Sequence, residues 1–183
     1  MSIVADETVT QIPAGEWEID PVWSALEFEI RKLGLVTIKG RIPGFTGSIV
    51  GGESPSLSGT VDATSITTFD ETRDGHLQAP DFFDSQRYPE LRFQSTSVET
   101  DSNELVARGE LTIKGITKPV ELRGTFAGSD QDPFGNERIG LELAGTVDRS
   151  DFGLEWNAPL PGGGFLLPNE VVLRATLAAV RKS

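Results

Sequence analysis

At 183 residues and without cysteine, the chain has the length of a single domain and excludes disulfides, thiolate nucleophiles and Cys-ligated metals. A mean hydropathy of -0.18 and an apolar share of 37% set aside both a helical membrane protein and a disordered chain. The 28 acidic and 16 basic residues give a net charge of -12, which disfavours nucleic acid and anionic lipid head groups as partners, and a single His removes any His-rich metal site.

The opening stretch, MSIVADETVTQIPAGEWEID, has neither a basic n-region nor an apolar h-region. No secretory signal and no integral membrane segment are expected, so the expected location is cytoplasmic. Residues 1–14 read as an N-terminal extension, and a single domain is expected over 15–183.

Strand signals then run almost without interruption. After Trp17–Ile19, Leu26, Phe28 and Ile30 alternate with Glu27, Glu29 and Arg31, and Val36, Ile38 and Ile42 alternate with Thr37, Lys39 and Arg41. Period-two alternation returns at Leu57–Ala63, Leu91–Val98, Leu105–Ile113, Val120–Phe126, Ile139–Val147 and Val171–Ala179. This predicts eight or nine antiparallel strands, each half-buried. Lys114-Gly115, Asp101-Ser102-Asn103 and the run from Gln131 to Asn136 supply turns between them. Glycines inside the strands (Gly40, Gly47, Gly59, Gly109, Gly124, Gly145) fit a strongly coiled sheet. A closed barrel of about eight strands therefore follows more naturally than a sandwich.

One block breaks the pattern. Residues 73–93, RDGHLQAPDFFDSQRYPELRF, hold the only His, the only Tyr and three Phe. Asp70 or Thr72 is placed to cap a short helix over Arg73–Gln78, and Asp81 to cap a second turn over Phe82–Ser85, with Pro89 ending the excursion. The prediction is a short helical insertion near residues 72–86 lying over one barrel mouth.

Read with its flanks, this block resembles the YceI-like family of lipocalin-like polyisoprenoid-binding proteins. Asp20, Ser24, Phe28, Ile30, Gly34 and Gly40 fall on the family's first-hairpin pattern D-x-x-x-S-x-x-x-F-x-V. Gly109, Leu111, Thr112, Ile113, Gly115, Thr117, Lys118, Pro119 and Val120 match G-x-L-T-I-x-G-x-T-x-P-V, and Arg149 to Gly153 match R-S-D-F-G. Glu170-Val171 then opens the closing strand, so the likeness spans residues 17 to 180 in order. Trp23 and Lys32 stand where the family often carries His, so any role of those imidazoles is absent. The resemblance implies an all-β, eight-stranded antiparallel lipocalin-like barrel with a narrow apolar cavity for a polyprenyl tail, no catalysis and no cofactor. An isoprenoid or other long-chain apolar molecule is the implied partner, of quinone or polyprenyl phosphate type, for storage or transport; a homodimer is left open.

Inward-facing Phe28, Ile30, Ile38, Leu111, Ile113, Leu122, Leu141 and Leu143 are candidate lining residues, though the same positions serve equally as ordinary barrel core. Phe69, Leu77, Phe82 and Phe83 lie on or beside the helical block, and of the adjacent Phe pair one is expected to face the cavity. Phe152, inside the R-S-D-F-G match, joins the ligand-binding set. Arg73 suits a phosphate or quinone oxygen, or else a local ion pair with Asp74. His76 reads as structural unless it meets a partner; it is the one base available to the alternative reading, a small enzyme for a hydrophobic substrate. A third reading is a stress-related interaction protein with a filled barrel. Asp81 and Asp84 read as a cap and a solvated neighbour rather than an acid–base pair. Arg149 to Asp151 read as a strand end turning over. Pro161 to Phe165 lack the Lys and helix start of a phosphate loop, leaving Trp156 and Phe165 as exposed loop aromatics at a rim.

Overall fold

The computed structural model describes residues 11–183. Ten strands are formed: β1 (Gly15–Ile19), β2 (Ala25–Lys32), β3 (Val36–Arg41), β4 (Phe45–Gly51), β5 (Ser56–Asp62), β6 (Glu90–Asp101), β7 (Glu104–Ile113), β8 (Ile116–Gln131), β9 (Glu137–Asp148) and β10 (Glu170–Arg181). One α-helix, α1 (Glu71–Gln78), stands between β5 and β6.

The ten segments make eight strands around the barrel. Trp17–Ile19 of β1 and Ala25–Glu29 of β2 lie one after the other along the same edge of β10. On their far side β4 pairs with β1 and β3 with β2. Thus β1 and β2 are two halves of one strand, broken at residues 20–24, and β3 and β4 are halves of another, broken at residues 42–44. The first break is pinned by Asp20, whose carboxylate accepts from Val22 N, and by Ser24, whose hydroxyl bonds Ala178 N and O on β10. Every pairing is antiparallel, and the β1–β4 and β1–β10 ladders close the ring.

Closure is complete at one end only. The outer edge of β3 is met by a single bridge, Arg41 to Thr67. Residues 63–89, α1 among them, fill the opening that this leaves between β3 and β6.

The inward side chains divide along the axis accordingly. At the closed end Trp17, Ile49, Leu105 and Ile139 are almost inaccessible and pack with Phe126, Leu141 and Ala179. Residues 1–10 of the expected extension lie outside the described residues; Ile12 is buried in the closed-end core, its carbonyl accepting from Gly52 N. Two glycines let aromatic rings lie flat on the wall. A Cβ at Gly40 would collide with the Phe28 ring, and one at Gly109 with the Phe93 ring.

The helical block differs from the two predicted turns. Asp70 is the cap, its Oδ1 accepting from Arg73 N at 2.9 Å, and α1 starts at Glu71, two residues earlier than expected. The second turn is not helical, and Asp81 caps nothing. The chain instead doubles back on the C-terminus of α1: the carbonyls of Leu77, Gln78 and Ala79 accept from Phe83, Ser85 and both Phe82 and Asp84. Carbonyls left open at the end of the helix are thereby satisfied. The same path buries Asp84, at φ 48°, instead of leaving it on a solvated face.

Candidate functional site

Two adjoining apolar chambers occupy the half of the barrel that is not packed solid. The inner one, about 170 Å³, is walled by Leu26, Ile42, Phe45, Leu57, Val61, Phe93, Leu111, Val120, Leu122, Leu143, Ala175 and Leu177. The outer one, about 490 Å³, lies beneath α1, the β2–β3 hairpin and residues 153–169. Its apolar wall includes Phe28, Ile30, Ile38, Leu77, Phe82, Phe83, Phe152, Leu154, Trp156, Leu166 and Leu167. Lys32, Thr68, Asp70, Arg73, His76 and Arg149 supply its polar edge. Ile42, Leu91, Ile113 and Leu173 border both chambers. The outer volume alone falls in the roughly 300–1,000 Å³ range of small-molecule sites.

The lid is tied to the barrel through Asp74. Thr67 Oγ1 donates to Asp74 Oδ2 at 2.7 Å, and Thr68 N and Oγ1 donate to Oδ1 at 2.7 and 2.6 Å. Because Thr67 also bridges to Arg41 of β3, these bonds couple α1 to the sheet. Arg73 joins the same knot, its Nε and Nη2 donating to Thr68 Oγ1 and O at 2.7 and 2.8 Å. Arg73 and Asp74 therefore act through Thr68 and not as a direct ion pair. Burial alone pushes the Asp74 carboxyl upward, but the bonds from Thr68 and Thr67, helped by the Arg73 charge, hold it below its ordinary value.

His76 does have partners. Its Nε2 lies 3.1 Å from Asp81 Oδ2, and its ring meets Phe82 and Trp156 edge-on, with centroids 5.0 and 4.8 Å away. The imidazole thus joins α1 to the loop on the opposite rim. That loop is organised by Arg149. Its buried guanidinium donates to Pro168 O at 2.8 Å through Nε, and to Leu154 O and Trp156 O at 2.6 and 2.8 Å through Nη1. Desolvation lowers the Arg149 pKa from its ordinary value. Asn157 completes the loop, its side chain donating to Leu167 O and accepting from Leu167 N.

Of the residues singled out from sequence, Phe28, Ile30, Ile38, Arg73, His76, Leu77, Phe82, Phe83 and Phe152 line the outer chamber. Leu111, Leu122 and Leu143 line the inner one, and Ile113 borders both. Both members of the Phe82–Phe83 pair reach the chamber, because the segment is a turn and not a helix. Two expectations are corrected. Phe69 is 76% exposed and lines neither chamber. Its neighbours Thr67 and Thr68 are drawn inward to Asp74, which leaves Phe69 at φ 64° with its ring in solvent. Leu141 faces inward and pairs with Leu177 at the end of the inner chamber, but its side chain is packed into the closed-end core and lines neither chamber.

Several residues escaped the sequence reading. Trp156 is a half-buried chamber wall and not an exposed rim aromatic, whereas Phe165 is exposed. Arg149 was the first letter of the R-S-D-F-G match, and that was the signal available for it. Of the two positions lacking the family's His, Trp23 lies under the Arg138 guanidinium at 3.9 Å, and Lys32 edges the outer chamber. Among the described residues no His, Asp and Glu side chains converge in the manner of a metal site.

An antiparallel barrel of eight strands, apolar inside, blind at one end and lidded at the other, defines a lipocalin-like ligand-binding barrel. Comparison with known proteins narrows the class. The YceI-like domain family matches residues 17–179, and the chain belongs to that family. It is 35% identical over 134 residues to Protein YceI of Escherichia coli O157:H7, covering 71% of this chain and 70% of that protein. BcnA of Burkholderia cenocepacia has the same fold, with a TM-score of 0.74 at 20% identity over 87% of this chain and 98% of that one. A polyisoprenoid binding domain from Saccharophagus degradans, implicated in plant cell wall breakdown, superposes with a TM-score of 0.68 at 14% identity over 91% and 98% of the two chains.

Proposed function

We propose that the protein binds a long-chain isoprenoid, of the quinone or polyprenyl phosphate type, and stores or carries it without chemical change. The observation that carries this reading is the pair of adjoining apolar chambers reached beneath a lid with a polar edge. Burying a methylene contributes about 0.8 kcal/mol, so two isoprene units in the chambers give roughly 8 kcal/mol gross. Ordering the tail and loss of overall motion offset much of that, leaving affinity in the micromolar range for a short tail. The head group would meet Arg73, whose guanidinium keeps donors beyond those given to Thr68. The likeness in fold to a polyisoprenoid binding domain agrees with this assignment.

His76 with Asp81 is the arrangement a catalytic reading would use, yet its ring is also a packing element between Phe82 and Trp156. We assign it that structural part. The test is native mass spectrometry and lipid extraction of protein purified without detergent, followed by titration with a prenyl quinone. Co-purified isoprenoid or saturable uptake is expected; neither being found would overturn the reading. Turnover of a prenyl substrate that His76→Gln abolishes would replace it with the enzyme.

A further inference from the structure

The barrel is hollow for only part of its depth, and the boundary is sharp in the register of β10. Its inward residues run Val171, Leu173, Ala175, Leu177, Ala179. Val171 borders the outer chamber, Ala175 the inner one, and Leu177 its end. Past Leu177 the same row enters packed side chains: Ala179 lies between Ile139 on β9 and Ile19 on β1, Ile19 closing the inner chamber beside Leu177, and beyond them Trp17 leaves no room, with Ala179, Ile139 and Trp17 all within 2% of full burial.

Resting on the isoprenoid-binding reading, we infer that this filled half is a floor which limits the length of tail that is buried, so that about three units of a long isoprenoid enter the barrel and further ones add nothing to its affinity. Six residue steps separate Val171 from Leu177. That is roughly 20 Å of strand, or roughly 15 Å along the axis at a barrel tilt of about 40°. An isoprene repeat has four backbone bonds. At the ~1.2 Å per bond of an extended chain it spans about 5 Å, so about three repeats fill the depth. A fourth would have to displace Leu177 and the core beneath it, and close-packed interiors resist insertion even of single methylenes. Further units stay outside the lid, in contact with water.

Ala175 and Leu177 set the depth. Ala175 is the small residue in the inner wall, and a larger side chain there fills the chamber from within. Leu177 is the floor itself, and its truncation opens space toward the closed end.

Geraniol, farnesol, geranylgeraniol and hexaprenol, titrated against the native protein by tryptophan fluorescence, read the limit directly, because Trp156 walls the outer chamber. The Kd is expected to fall about tenfold or more from two units to three, then to change less than about threefold up to six. Ala175→Leu should move that break to two units, and Leu177→Ala should move it to four. If Leu177→Ala does not fold, Ala175→Leu decides alone: Ala175 lines the inner chamber as well as packing against the closed-end core, so the added volume enters the hollow, and a parent-like circular dichroism spectrum shows that the variant folds. Tightening that continues through six units, or a break that Ala175→Leu leaves in place, overturns the length limit while the binding reading stands. No binding of any of the four alcohols defeats the binding reading, and the length limit with it.

Discussion

Replacing Arg149 with Met should loosen the rim of the cavity before it affects the barrel. Arg149 is 4% exposed, and among the described residues no carboxylate lies within ion-pairing distance of its guanidinium. Its work is done on three carbonyls, of Leu154, Trp156 and Pro168, which draw both ends of the 153–169 loop to one point. A hydrogen bond to a charged group contributes about 1.5–3 kcal/mol. Three would sum to roughly 4.5–9 kcal/mol, but two share one nitrogen, two of the carbonyls can turn to water, and removing a desolvated charge returns part of the loss. A net destabilisation of about 3 kcal/mol is expected, a large share of the roughly 5–15 kcal/mol that holds a domain together. With a urea slope of about 2–3 kcal/mol per molar, the midpoint should drop by about 1 M or more. Arg149→Lys keeps the charge but cannot reach all three acceptors, and should fall between the two. Hydrogen exchange gives the second readout: the amides of Leu166 and Leu167, bonded within the loop, should lose protection before those of β9. A midpoint within about 0.3 M of the parent, with the loop amides still protected, would refute the assignment of Arg149 as the organiser of this rim.

Asp74→Asn should cost about 1–2 kcal/mol, because an amide cannot accept from Thr67 and twice from Thr68 as the carboxylate does. As the folded Asp74 pKa lies below its ordinary value, its contribution is complete at neutral pH and lost as pH falls below about 4, so the variant's urea midpoint should change less than the parent's over that range. Arg138 donates to both Asp20 and Asp132 and holds both carboxyls low. Arg138→Gln should therefore raise the pH at which acid unfolding begins, as followed by circular dichroism. Phe69→Asn should stabilise by about 0.5–1 kcal/mol, since the ring is exposed and the backbone is left-handed, a region where Asn is better tolerated. Leu77→Trp should fill the outer chamber and weaken uptake of farnesol about tenfold or more, with little change in the urea midpoint.

The barrel was legible because each strand repeats its message every second residue, and eight such segments admit few closed arrangements. The breaks that split two of those strands were harder to see: across residues 20–24 the inward parity switches from Trp17 and Ile19 to Leu26, Phe28 and Ile30, and such a switch reads equally as a turn between two separate strands. The cavity was legible only as a set of inward positions. Leu141 and Leu143 are two residues apart on one face of β9 and both are buried in the core, yet only Leu143 also borders the inner chamber. Alternation states which way a side chain points but not whether anything stands opposite it. That depends on Trp17, Phe126 and Ile49, which arrive from three other strands. Trp156 and Phe69 fail for a related reason. Each sits in a segment without period, and its direction is set by a polar residue elsewhere, Arg149 for one and Asp74 for the other. The hydrogen bonds of buried polar groups decide where irregular backbone goes. In this chain they therefore decide which aromatic becomes cavity wall and which is turned out to water.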